Sequence, residues 1–128
     1  MFHYTINTNQ TVEEAIKSLE TSLKEESFGV LWNFDIKETL QNKGFEYDQS
    51  YHVLEVCNPK EAKKILSRNQ MAGYFLPCKI VVYEDAGETK IGMPRPTKLI
   101  EMVDDDKLKD FANNIEKRLI RCMDNSIA

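Results

Sequence analysis

Apolar residues along this chain recur with two different periods, and each change of period marks a new element. Residues 2 to 6, FHYTI, alternate and are rich in β-forming side chains, which predicts a strand. In the following NTNQTVEEAIKSLETSLKEES, Val12, Ala15, Ile16, Leu19 and Leu23 form one helical stripe, and Thr11 with Glu14 has the spacing of a capping box. FGVLWNF, residues 28 to 34, predicts a second strand. Phe28, Val30, Trp32 and Phe34 lie at period two, so one core-facing row is expected. Asp35 and Glu38 repeat the cap spacing before a short helix that should stop at Gly44.

YHVLEVC, residues 51 to 57, reads as a third strand. Asn58-Pro59-Lys60-Glu61 then starts a helix: Asn58 caps, Pro59 suits a position that needs no donor, and Glu61 can reach back to complete the box. CKIVVYED, residues 78 to 85, and TKIGM, residues 89 to 93, flank Ala86-Gly87-Glu88 as a hairpin. GMPRPTK, residues 92 to 98, reads as a rigid surface loop. Leu108, Phe111, Ala112, Ile115, Leu119, Cys122 and Met123 then recur every 3.6 residues, which makes a long closing helix with one buried face.

The order is strand, helix, four strands with two short helices inserted, and a final helix. The hairpin makes the last two strands antiparallel, while the first strand and its helix suit a right-handed crossover to a parallel neighbour. The expected fold is α+β: a mainly antiparallel five-stranded sheet with its principal helices packed on one face, as one domain over residues 1 to 128. A fully parallel doubly wound sheet fits less well, because the second helix is short and the hairpin breaks the alternation.

Composition narrows the function classes. Lys and Arg total 17 against 21 Asp and Glu, giving a net charge of -4, and the basic residues are interspersed with acidic ones, which argues against a nucleic-acid partner. No basic-then-apolar leader opens the chain, and no apolar run approaches the ~20 residues of a membrane span, so a cytoplasmic protein without membrane partners is expected. Three cysteines without a CxxC pair suit a reducing compartment and no common zinc spacing, so no metal is expected.

The segments FGVLWNFDIKETL, VCNPKEAKKIL and YFLPCKIVVYED, in that order and spacing, resemble the DUF302 family, a domain of unknown function. The specific pieces are Cys57-Asn58-Pro59 and Leu76-Pro77-Cys78. The resemblance implies a TBP-like β-α-β(4)-α fold and a homodimer, and it brings no activity or cofactor. Ser27 departs from the family, where glycine is common.

If the strands at 51 to 57 and 78 to 84 are antiparallel neighbours, Cys57 and Cys78 come to one edge of the sheet. Two readings follow. In one, the positive end of the 59 to 69 helix depresses the Cys57 pKa, Cys78 acts as a resolving thiol, and Asn58 offers its amide to a ligand. In the other, both thiols are small buried hydrophobes. Cys122 lies on the apolar stripe of the last helix. Glu84 shares a strand face with Cys78 but lies roughly 20 Å along it, so it is a separate ligand candidate. Arg95, held between Pro94 and Pro96, can bind a carboxylate or phosphate. Asp104, Asp105 and Asp106 are accounted for by helix capping. His3 and His52 have no partner at ligand spacing.

No catalytic constellation stands out. The chain therefore reads as a small-molecule-binding or thiol-dependent module centred on Cys57 and Cys78, with an apolar pocket expected to include Trp32, Tyr83 and Phe75. Assembly as a structural or sensor protein, through Tyr74 and Phe75 at a dimer surface, is the alternative.

Overall fold

The computed structural model describes residues Met1–Ala128. Five strands, β1 (His3–Thr8), β2 (Gly29–Asp35), β3 (Tyr51–Cys57), β4 (Cys78–Asp85) and β5 (Glu88–Pro94), form one sheet in the order β1-β5-β4-β3-β2. Every neighbouring pair is antiparallel. The parallel neighbour expected for the first strand is therefore absent. β1 and β2 do point the same way, but they occupy opposite edges with three strands between them.

The helix α1 (Val12–Glu25) makes that connection. Four strand spacings are about 19 Å. A helix of 14 residues is about 21 Å long, so α1 with its short connections carries the chain from edge to edge. On the way it buries Val12, Ala15, Ile16, Leu19 and Leu23 against the sheet.

The C-terminal helix α5 (Asp106–Ser126) packs beside α1. Its Ile115, Leu119, Cys122 and Met123 join Leu54, Val56, Ile80, Val82, Ile91 and Met93, the inward residues of the three central strands, in one core. The first turn of α5 behaves differently. Leu108 and Ala112 form a second cluster with Ile65, Ala72 and Ile100. Those three come from α3 (Pro59–Arg68) and from two 3-10 turns, Gln70–Tyr74 and Ile100–Met102. The segment expected as a surface loop thus contains a short helix, α4 (Pro96–Leu99), running into the second turn.

One row of expected core residues is split. The register of β2 against β3 slips between Val30 and Trp32, because Leu31 is an extra residue in the edge strand. A bulge of one residue reverses the alternation, so side chains beyond it point to the opposite face. Phe28 and Val30 pack inward, whereas Trp32 and Phe34 stack on each other, centroids 5.1 Å apart, on the face that carries neither α1 nor α5. Trp32 is 57 % exposed.

Both α1 and α2 (Ile36–Asn42) end in the same hydrogen-bond pattern. The amides of Ser27 and Phe28 donate to the carbonyls of Lys24 and Leu23, and those of Gly44 and Phe45 donate to Gln41 and Leu40. This is the Schellman closure, which requires a left-handed residue after the cap. Gly44 meets the requirement at φ +87°, while Ser27 adopts φ +65° with a side chain attached. A physical reason for glycine at position 27 is thereby visible. Ser27→Gly is expected to raise stability by about 0.5–1 kcal/mol, and Gly44→Ala to lower it by about 1 kcal/mol, in urea unfolding monitored by circular dichroism.

Candidate functional site

At one end of the sheet, β3 stops at Cys57: Asn58, held extended at φ -106° and ψ 105° by the following proline, caps a helix that begins at Pro59, which has no N–H to continue the ladder. Asn58 is 6 % exposed and fully engaged. Its Oδ1 accepts from the Glu61 amide at 3.2 Å, capping α3, and its Nδ2 donates to the Glu26 carbonyl at 3.2 Å. Asn58 therefore ties the start of α3 to the end of α1. Glu61 does not complete the expected capping box. Its carboxylate stands 3.8 Å from Lys64 and 3.9 Å from Arg118. Over this joint Arg118 donates to the Glu26 carboxylate at 3.1 Å and lies above the Phe28 ring, 5.2 Å from its centroid.

Cys78 opens β4 opposite Val56, so the two cysteines do come to the same edge of the sheet. They share a crevice of about 10 Å³ with Phe28, Asn58, Leu76 and Phe111 among its walls. That is no more than the space one water occupies, so there is no chamber between the thiols for a ligand. Burial pushes the Cys57 thiol up from its ordinary value of 9.0. Cys78 is pushed up to about 11, by burial first and then by Cys57 and Glu55. The expected depression of Cys57 is corrected: its thiol is raised by loss of hydration, and no cation stands by to offset that.

On its other side Cys78 faces a hollow of about 270 Å³. The roof is α5, through Leu108, Phe111, Ala112 and Ile115. The floor is the sheet end, through Cys78, Lys79 and Pro94. The sides are the segment from Ala72 to Pro77 and the α4 region from Pro96 to Ile100. Phe75 lines it as expected. Trp32 and Tyr83 do not, because they stand on the opposite face of the sheet, where Tyr83 pairs with Tyr51 at 5.1 Å. The sequence carried one overlooked signal for this hollow. The stretches MAGYFLP and PRPTKLI hold more apolar residues than connecting loops need, and those residues form its walls.

The remaining candidates lie elsewhere. Arg95 is half-buried: its Nε donates to the His3 carbonyl at 3.3 Å, and its Nη1 stands 3.7 Å from Glu116, itself buried and accepting from the amide and hydroxyl of Thr97 at 3.0 and 2.7 Å. It thus anchors Pro94 and Pro96, two wall residues, without lining the hollow itself. Glu84, at the far end of β4, accepts from the Ser50 amide at 3.0 Å, and its own amide donates to the Ser50 carbonyl. His52 bonds Asn33 at 2.7 Å, and His3 bonds Thr5 at 2.9 Å. Tyr74 is 81 % exposed, while Phe75 is half-buried.

The thiol environment sets a pH dependence. Only the thiolate alkylates, and raised pKa values lower its fraction. Cys57 and Cys78 are expected to react with iodoacetamide more slowly in the native than in the urea-denatured protein at every pH from 7 to about 10. Native Cys57 reacting faster than the denatured control near pH 7 would contradict this. Because the folded pKa of Cys78 is raised, its contribution to stability is complete below the unfolded value of 9.0 and is lost as pH rises through about 11.

No curated protein matches this chain. The DUF302 family, described as a domain of unknown function, matches over residues 4–126. Among solved structures, a crystal structure of an uncharacterized conserved DUF302 protein from Bacillus stearothermophilus is 53 % identical. That match covers 98 % of each chain with a TM-score of 0.94. With the family match spanning nearly its whole length, and the shared fold running through Cys57-Asn58-Pro59 and Leu76-Pro77-Cys78, this chain belongs to the DUF302 family.

Proposed function

We propose that the protein is a binding module for a small, predominantly apolar molecule, held without covalent chemistry in the hollow beside Cys78. The observation that carries this reading is the hollow itself. It has about 270 Å³ of space under α5, with walls such as Phe75, Leu76, Ile100, Leu108 and Phe111. A dry apolar cavity of about 150 Å³ already accepts benzene, so one ring with a short substituent fits here. Two other hollows, of about 560 and 640 Å³, are wide open and lined mainly by polar and charged residues. Cys78 serves as a wall residue carrying a neutral thiol, and Cys57 and Asn58 support that wall from behind. No helix is long and apolar enough to cross a membrane. Three free thiols support a reducing cytoplasm as the working compartment.

Indole is a suitable probe. In amide-detected NMR it is expected to shift residues 72 to 79 and 108 to 115 in a saturable manner, and Leu99→Trp, which fills the hollow from its half-exposed side, should abolish those shifts. Shifts scattered over the surface, or unchanged in the variant, would dismiss the pocket.

A homodimer, implied by the family, is supported by the open face of the sheet. There Trp32, Phe34, Val53 and Val81 form adjoining rows with no helix over them. Such a contiguous apolar patch is costly to leave in water. Sedimentation velocity should give a dimer that Trp32→Glu converts to monomer. A wild-type monomer at high micromolar concentration rules this surface out as a dimer contact.

A further inference from the structure

We infer that a second copy of this chain covers the open face of the sheet in one defined orientation, with the β2 edge of each protomer lying over the β1 edge of its partner. The inference rests on the homodimer reading above and adds to it which residues meet.

On the face that carries neither α1 nor α5, the strand register aligns Phe34, Val53, Val81, Gly92 and Thr5 in a row that runs across all five strands. Trp32, Glu55 and Lys79 lie in the row below it, and Tyr51 and Tyr83 in the row above. The single tryptophan of the chain and two of its five tyrosines therefore stand on this face, and these residue types are enriched among those that carry interface energy. Charge does not oppose self-association. Glu55 and Lys79 are neighbours in register, and Lys90 pairs with Asp85 at 3.0 Å, so opposite signs stand side by side here although the chain carries -4 overall. Five strands with about six residues along each make a face of roughly 24 by 20 Å. With side-chain relief, covering it removes roughly 600–700 Å² per protomer, close to the ~800 Å² of a standard stable interface.

The middle row slopes from one edge of the sheet to the other. Phe34, stacked on Trp32, stands high at the β2 edge, Val53 and Val81 are lower, and Gly92 has no side chain. At the β1 edge Thr5 leans over Gly92, its Oγ1 only 2.8 Å from where a Cβ at Gly92 would sit, and the Nδ1 of His3 holds that oxygen at 2.9 Å. That end of the row is low.

Two such slopes fit when one is inverted on the other. A two-fold axis between the sheets, running along β4, lays β2 on the partner's β1, β3 on its β5 and β4 on itself. Phe34 then meets the low end made by the partner's Thr5 and Gly92. Glu55 comes to within one strand spacing of the partner's Lys79, and the two-fold makes that favourable pairing twice. An axis across the strands would set Phe34 against Phe34 and leave a gap over Gly92, which close packing disfavours.

The test places the photocrosslinker p-benzoylphenylalanine at Phe34, which keeps an aromatic ring at the high edge. Irradiation should yield a covalent dimer in which mass spectrometry joins that position to residues 3–8 or 89–94 of the other copy. Within one chain β5 lies about 14 Å from β2, and β1 farther, so a monomer cannot give this product. Thr5→Arg, which fills the low end, should weaken the dimer about thirtyfold in sedimentation velocity, and Thr5→Ser should leave it unchanged. A crosslink to residues 29–35 of the partner, or a Thr5→Arg dimer as strong as the wild type, overturns the orientation and leaves the homodimer standing. A dimer that gives no crosslink from Phe34 overturns the orientation together with the open-face contact. A wild-type monomer at high micromolar concentration removes both.

Discussion

Because β1 and β2 occupy opposite edges of the sheet, α1 must traverse β5, β4 and β3 before the chain can continue. This crossing is the constraint on which the rest depends. It fixes which face of the sheet is covered and leaves α5 to share that face, with Leu19 and Leu119 both fully buried in the shared core. It also determines where cover runs out. The C-terminal half of α5 has α1 and the sheet to pack on, but its first turns extend past them, and Leu108 and Ala112 find Ile65, Ala72 and Ile100 instead. The hollow beside Cys78 lies at the boundary between these two packing arrangements, lined by α5 on one side and by the 3-10 segments on the other.

The polar residues around that boundary hold the segments together. Asn58 joins the cap of α3 to the last carbonyls of α1, and Glu26 accepts from Arg118 and Arg121 across the same seam. Arg121 first, and then Arg118, keep the Glu26 carboxyl below its ordinary range despite partial burial. Arg95 and Glu116 perform the equivalent task where β5 turns into α4. Residues that attract notice as potential chemistry, Asn58 and Arg95 among them, are held in these joints by hydrogen bonds and an ion pair.

Much of the fold was legible in the order of residues. The stripe of α1, the long face of α5, the cap residues Thr11, Asp35 and Asn58, and the stop at Gly44 are all local signals, and each forms where the pattern places it. Ser27 shows a limit of such reading, since its left-handed backbone follows from the Schellman closure of α1 and not from the preference of serine. Trp32 shows another. Period-two alternation assigns it to the core, and a single extra residue in an edge strand sends it to the opposite face. The candidate site was legible only in part: the two cysteine triplets lie at one end of the sheet as expected, but the loop residues that complete the hollow carry no periodic signal.

What the sequence determined by itself is therefore everything governed by neighbours within a few residues: element type, helix ends, the antiparallel hairpin and the amphipathic faces. The tertiary structure alone decided which strands stand at the edges, that α1 spans the sheet, and that the space between the thiols is closed while the space on the other side of Cys78 is open. Those outcomes depend on how faces from distant segments fill a common volume. Packing density is a property of the assembled surfaces, so no single segment encodes the gap that remains between them.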